Sequence, residues 1–215
     1  MSDNYLIDSY NLDLFSFTVP KKYNNAMICK IKNDSNDVLI QFPKMNVTLF
    51  DEETSQETNL FLEFKNEKGY NKKIYDFLAK LDDIIVNYIT THSEDWFGKK
   101  IKLTHITQMY NKFIKPPKSS ENNCTLNFKI KENTLIDKKN ENISTSEIKK
   151  GNTLECIAQM KYLVFSKDSC FVTWEICSAK LFKRINHVGK FGFIDDPDDN
   201  YEEPDPEPED IISFF

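Results

Sequence analysis

Arginine is almost missing from this chain. Of 28 basic residues only Arg184 is an arginine, so the planar, bidentate recognition that arginine gives carboxylates, phosphates and guanine edges has next to no material. Glycine is scarce too, with 5 in 215 residues. No G-x-x-x-x-G-K-[ST], G-x-G-x-x-G or G-x-S-x-G occurs, which removes the phosphate-cradling loop and the nucleophile elbow. The 3 histidines (His92, His105, His187) stand apart, and the 5 cysteines (Cys29, Cys124, Cys156, Cys170, Cys177) form no C-x-x-C pair. A metal site is therefore not expected, and the cysteines, mostly set in apolar strand-like runs, read as buried free thiols of a reducing compartment. Neighbouring carboxylates such as Asp82 and Asp83 fall on the polar side of a helical pattern, where solvated surface outweighs acid–base chemistry. These absences predict a protein that is not an enzyme and uses no cofactor. Long apolar runs are missing as well: nothing approaches the ~18 residues of a membrane span, and the opening "MSDNYLIDSYNLDLFSF" lacks the basic and apolar regions of a secretory signal. An intracellular location without a membrane partner is expected.

What the chain has is charge, unevenly placed. The net charge is −6 and the sequence pI about 5.2, yet Phe191 to Phe215 holds ten acidic residues and no basic one, while Lys99 to Lys190 holds 18 basic against 8 acidic. A basic second half beside an acidic end points to a polyanionic partner, with a solvated lysine surface as the alternative.

Strand patterns come first along the chain. "NAMICKIK" alternates, "DVLIQF", "NVTLF" and "TNLFLEF" follow, and Pro43 and the Asp51 to Glu57 segment are expected to break this β meander. From Tyr70 to Thr91 the period changes. Ile74, Phe77, Leu78, Leu81, Ile84, Ile85, Tyr88 and Ile89 recur at offsets of three and four, with Lys80, Asp82, Asp83 and Asn87 turned away, which predicts a long helix stopped at Gly98. A shorter amphipathic stretch, "THITQMYNKFI", ends at Pro116 and Pro117.

Strands then return. "CTLNFKIK" sets Leu126, Phe128 and Ile130 against Asn127, Lys129 and Lys131, one face core and the other basic. Glu132 to Asn152 reads as a long polar loop with room for one short strand. "TLECIAQMKYLVF" and "CFVTWEICSAKLFKRI", joined by "SKDS", form a hairpin. By alternation Tyr162 and Val164 fall on the face of Leu154 and Met160, with Lys161, Leu163 and Phe165 opposite. Both faces of this hairpin are apolar, as a closed sheet requires. The predicted fold is mainly β (α+β): an OB-like barrel over residues 1–190 with one long inserted helix and a shorter one, then a disordered acidic tail over 191–215.

Lysines that neutralise phosphates and rings that stack bases together make a site for single strands. Lys129, Lys131, Lys161, Lys180 and Lys183 lie in or beside strands carrying Phe128, Tyr162, Phe165 and Trp174. Phe165, in phase with Lys161, is the stacking candidate; Phe128 reads as core, and Trp174 as core or stacking ring.

The order of β meander, long helix ending in "WFGKKI" (Trp96 to Ile101), basic strand "LNFKIK" (Leu126 to Lys131), hairpin through "FVTWEI" (Phe171 to Ile176) and acidic tail closing on phenylalanine resembles the single-stranded-DNA-binding proteins of nucleocytoplasmic large DNA viruses. These are similar in turn to the podophage proteins built on an oligonucleotide/oligosaccharide-binding (OB) barrel with an acidic, aromatic-ended tail. The resemblance spans about residues 20 to 215. It implies non-catalytic coating of single-stranded DNA during viral replication, recombination and repair, at cytoplasmic sites in a host cell. It also makes Lys99 and Lys100 groove candidates, and Trp96 a stacking ring or, preferably, a staple seating the helix.

The tail carries Asp205, Glu207, Glu209 and Asp210 before Phe214 and Phe215. Its acids are expected to compete for the basic groove at high effective concentration, and its aromatic end to capture replication proteins such as a polymerase or helicase. An adaptor that docks partners through this tail without nucleic acid, and an RNA-binding protein, are the alternatives. Monomer and homodimer both stay open.

Overall fold

The helical period of the middle segment becomes α1, Tyr70–Phe97, 28 residues in a computed structural model that describes residues 5–52, 57–65, 68–114, 123–132, 134–138 and 141–182. Its buried stripe is Ile74, Phe77, Leu78, Leu81, Ile85, Val86 and Ile89, each apolar side chain worth roughly 1.5–3 kcal/mol when fully removed from water. Gly98 ends the helix as expected, in the left-handed region at φ 69, ψ 10, its N–H donating to the Glu94 carbonyl at 2.8 Å. An added Cβ at Gly98 would meet nothing within 4 Å. The cost of Gly98→Ala is therefore conformational, ~1–2 kcal/mol. Thermal unfolding should show Tm lower by roughly 2–8 °C, and an unchanged Tm would contradict this role.

Eleven strands are found among the described residues. The first five are β1 (Phe15–Phe17), β2 (Lys21–Tyr23), β3 (Ala26–Asn33), β4 (Leu39–Glu52) and β5 (Glu57–Lys65). After α1 come β6 (Tyr110–Asn111), β7 (Asn123–Lys131), β8 (Leu135–Lys138), β9 (Glu141–Ile143), β10 (Thr153–Phe165) and β11 (Cys170–Phe182). Five of these close on themselves: β4 pairs β5, β5 pairs β7, β7 pairs β11, β11 pairs β10, and β10 pairs β4. All contacts in this ring are antiparallel except β7 with β11. This is the connectivity of a five-stranded OB-like barrel, with α1 inserted between its second and third strands. β3 extends the sheet along the far end of β10, and carries β1 and β2. Among the core side chains, Phe42, Phe128, Leu60 and Leu62 are at most 1% exposed.

Several expectations are corrected here. Pro43 does not break its strand: β4 runs through it because the β10 ladder skips from Phe42 to Met45, a bulge where no proline N–H is needed. The second helix, α2, covers only Leu103–Met109, and Tyr110–Asn111 becomes a strand parallel to β11. The polar stretch after β7 is less of a loop than its composition suggests. It folds as the β8–β9 hairpin, with Ile136 and Ile148 buried. The described part of the first 20 residues, residues 5–20, unexplained by the sequence, seats α1: Ile7, Phe15 and Phe17 are buried, Phe15 meets Phe77 at 6.4 Å and Phe17 meets Tyr88 at 4.7 Å. The 190/191 boundary and the acidic tail lie outside the described residues.

Candidate nucleic-acid interface

The basic strand behaves as its alternation predicts. On β7, Cys124, Leu126, Phe128 and Ile130 are buried, while Thr125, Asn127 and Lys129 line a groove of about 740 Å³ on the outer face of the barrel. β5 adds Asn59 and Phe61 beside them, in register Asn59 with Lys129 and Phe61 with Asn127. These are the second and third barrel strands, the face on which OB folds bind oligonucleotides and oligosaccharides.

A bulge decides the rest of the groove. β10 and β11 slip register between Met160 and Tyr162, so the alternation of β10 changes phase at Lys161. Leu163 turns into the core at 0% exposure, and Tyr162 and Val164 turn out to the groove, the reverse of their expected faces. Phe171 and Thr173 of β11, Lys112 and Tyr23 complete the site, Tyr23 being 61% exposed. The groove thus presents four rings, Tyr23, Phe61, Tyr162 and Phe171, beside Lys112, Lys129 and Lys161. Glu175 is its acidic member: the Lys131 Nζ donates to Glu175 Oε1 at 2.9 Å, and Lys161 Nζ lies 3.7 Å from Oε2. Lys161 also donates to Gln159 Oε1 at 3.1 Å.

The predicted residues divide accordingly. Lys129 and Lys161 line the groove, and Lys131 stands at its edge on Glu175. Trp174 is not a stacking platform. At 4% exposure it packs edge-on to Phe42 (5.3 Å) and against Phe113 (5.6 Å), forming groove floor, and its Nε1 has no hydrogen-bond partner among the described residues. Phe165 is separated from Lys161 by the change of phase and packs edge-on to Trp96 (6.1 Å) and Phe97 (5.2 Å). Trp96 in turn lies 5.7 Å from both His92 and Tyr88, an aromatic ladder tying the helix end to the sheet. Lys180 is elsewhere on the barrel, across from Glu155 and Asp137. Lys99 and Lys100 are exposed at the corner after α1. Lys183, and Asp205, Glu207, Glu209, Asp210, Phe214 and Phe215 of the tail, lie outside the described residues.

Sequence reasoning misses Tyr23, Phe61, Lys112 and Phe171. Phe61 is readable, since it alternates with the core residues Leu60 and Leu62. The other three depend on long-range placement.

The groove offers cation and ring surface. Burial pushes the Cys29 thiol up to about 12 and that of Cys170 to about 11, so both stay protonated. Cys124 and Cys156 are buried too, whereas Cys177 is exposed. Among the described residues no three His, Cys, Asp or Glu side chains are grouped to hold a metal ion.

The barrel resembles solved structures of phage proteins. The structure of gp2.5, a single-stranded DNA binding protein encoded by bacteriophage T7, aligns with a TM-score of 0.51 at 9% identity, covering 68% of this chain and 87% of that one. A single-stranded DNA-binding protein from bacteriophage Enc34 aligns with a TM-score of 0.42 at 13% identity, covering 78% and 90%. Its complex with single-stranded DNA gives 0.41 at 14% identity, covering 77% and 94%. No curated protein matches the chain in sequence. The model of the family of unknown function DUF5871 matches residues 46–195, well over half of the sequence, and the chain belongs to that family.

Proposed function

We propose that this chain is a sequence-tolerant single-stranded-DNA-binding protein. The observation that carries the reading is the groove itself, in which Tyr23, Phe61, Tyr162 and Phe171 stand beside Lys112, Lys129 and Lys161 on the outer face of an OB-like barrel. Rings stack any base, at ~1–3 kcal/mol each. Lysines attract backbone without reading base edges bidentately, so the composition favours coverage over sequence choice. The fold shared with gp2.5, a single-stranded DNA binding protein, supports the same reading.

Coating of exposed strands in replication, recombination and repair of a viral genome is the role that fits such binding. The acidic tail then competes for the groove when no strand is present, and its closing Phe214 and Phe215 engage replication proteins once it is displaced. RNA offers the same phosphates and bases, so a comparison of DNA and RNA oligonucleotides decides the preferred strand.

The test is fluorescence anisotropy of labelled oligothymidine with the full chain and with a chain ending at Lys190, across salt. Groove lysines Lys112, Lys129 and Lys161 set a log–log salt slope of at least about −2, from roughly 0.7 per phosphate neutralised. Tighter binding by the shortened chain is expected. Absence of strand binding by either chain at low salt would sink the reading and favour the tail-docking adaptor.

A further inference from the structure

Lys99 and Lys100 belong to a second basic surface, and its position relative to the groove is set by strand geometry. Successive residues of a strand face opposite sides of a sheet. Tyr23, Ile28, Val164 and Phe171 line the groove; their neighbours Lys22, Met27, Phe165 and Cys170 line a different cavity, of about 620 Å³. The two sites are therefore opposite faces of one wall, made by β2, β3, the end of β10 and the start of β11. The tip of that wall is two polar turns, Asn24–Asn25 and Ser166–Ser169, and Asn24, Asn25, Ser166 and Lys167 line the cavity as well.

Beyond the tip the cavity has an apolar floor that includes Phe97, Ile101, Met109 and Phe165, and it opens onto a basin of about 730 Å³ with which it shares Lys99, Ile101, Met109 and Lys167. Together they collect Lys22, Lys99, Lys100, Lys102 and Lys167 against Asp168, a larger net positive charge than in the groove, where Glu175 opposes three lysines. None of the five has an ion-pair partner among the described residues. The corner presenting Lys99, Lys100 and Lys102 is fixed. Gly98 caps α1, and the Ile101 N–H donates to the buried Ser93 Oγ at 3.0 Å, which itself donates to the Thr90 carbonyl at 2.9 Å.

We propose that a nucleic-acid strand leaving the groove turns over this tip and lays its phosphates along the Lys99–Lys102 corner, with Phe97 and Phe165 offering ring surface below. The chain would then hold a strand at two stations on opposite faces of one wall. Adjacency to the groove, with Ala26 lining both sites, and the excess of unpaired lysines favour a polyanionic strand as occupant over an acidic peptide. The inference rests on the groove being a single-strand site.

Anisotropy of oligothymidines from about 4 to about 16 nucleotides, the span of OB-fold site sizes, tests it with full-length wild type and a Lys99→Ala/Lys100→Ala/Lys102→Ala variant. These lysines are exposed, so the variant should keep its Tm. Equal affinity for the shortest strand is expected, with at least tenfold weaker binding of the longest and a salt slope shallower by about 2 for that strand only. Equal loss at every length, or no loss at any, overturns the second station while leaving the groove reading intact. The second station also falls if strands of every length bind both proteins alike while a synthetic Asn200–Phe215 peptide binds only the wild type, which would make the corner a peptide site. Failure of wild type to bind any length overturns the groove reading and this inference together.

Discussion

Phe171→Ala should weaken oligothymidine binding by roughly fivefold to more than a hundredfold, and Phe61→Ala by a similar factor, while both variants keep a cooperative unfolding transition close to that of wild type. The magnitude is that of one lost base–ring stack, ~1–3 kcal/mol. The separation of binding from stability follows from position. Phe61 and Phe171 are half-buried groove residues, so truncation exposes strand backbone without opening a hole in the core. Phe128→Ala is the contrasting control: at 1% exposure, in edge contact with Phe42 at 5.0 Å, it should cost ~3–5 kcal/mol of stability. If Phe171→Ala and Phe61→Ala unfold early and bind strands normally once folded, the rings are core and the groove is not the strand site.

Asp82 yields the second large effect. Its polarity predicts a place on the solvated side of α1, yet it is 3% exposed and accepts hydrogen bonds from Tyr110 Oη at 2.7 Å and from the Phe113 N–H at 3.2 and 3.3 Å. Burial raises its carboxyl from 3.8 to about 6, Asp83 adding to the rise, while the Tyr110 and Phe113 hydrogen bonds and the Lys112 ammonium partly oppose it. A raised acid binds its proton more tightly in the folded state than in the unfolded one. Its contribution to stability is therefore full below the unfolded value near 3.8 and is lost as pH rises through about 6. At ~1.36 kcal/mol per pKa unit, the change is about 3 kcal/mol. Urea unfolding from about pH 4 to about pH 7 should show wild type losing most of that relative to Asp82→Asn, which keeps an acceptor but does not titrate. Parallel pH profiles for the two proteins would refute the buried-carboxylate account.

These two cases also mark where the sequence is legible. Periodicity reads α1 and its glycine stop correctly, since seven apolar side chains share one stripe and a positive φ follows the last turn. Strict alternation reads β7 correctly, because that strand pairs with β5 over nine consecutive positions without a slip. Reading fails where a local rule is overridden from a distance. The bulge at Lys161 inverts the faces of Tyr162, Leu163 and Val164, and it shows only in the pairing with β11. Asp82 looks solvated because polarity alone marks a helix face as outward, whereas its partners Tyr110 and Phe113 lie some thirty positions ahead. The site suffers most, since a groove made by seven strands and a loop depends on such crossings. Lysine strands and the rings of Phe61 and Tyr162 are visible in the sequence, but the company of Tyr23 and Phe171 is not.

The parallel contact between β7 and β11 has a consequence for the apo protein. It joins the ring through one register pair, Lys129 with Glu175, where the neighbouring β5–β7 ladder has nine. Backbone bonding alone makes this the slit in the cylinder, and the Lys131–Glu175 ion pair, with side chains 43% and 21% exposed, is its latch. The groove lies across that slit. An occupant touching both lips acts as a clasp, so amide protons of β7 near Lys129 should exchange faster in the empty protein and be the ones most slowed on loading. Occupancy then sets how tightly the cylinder is shut.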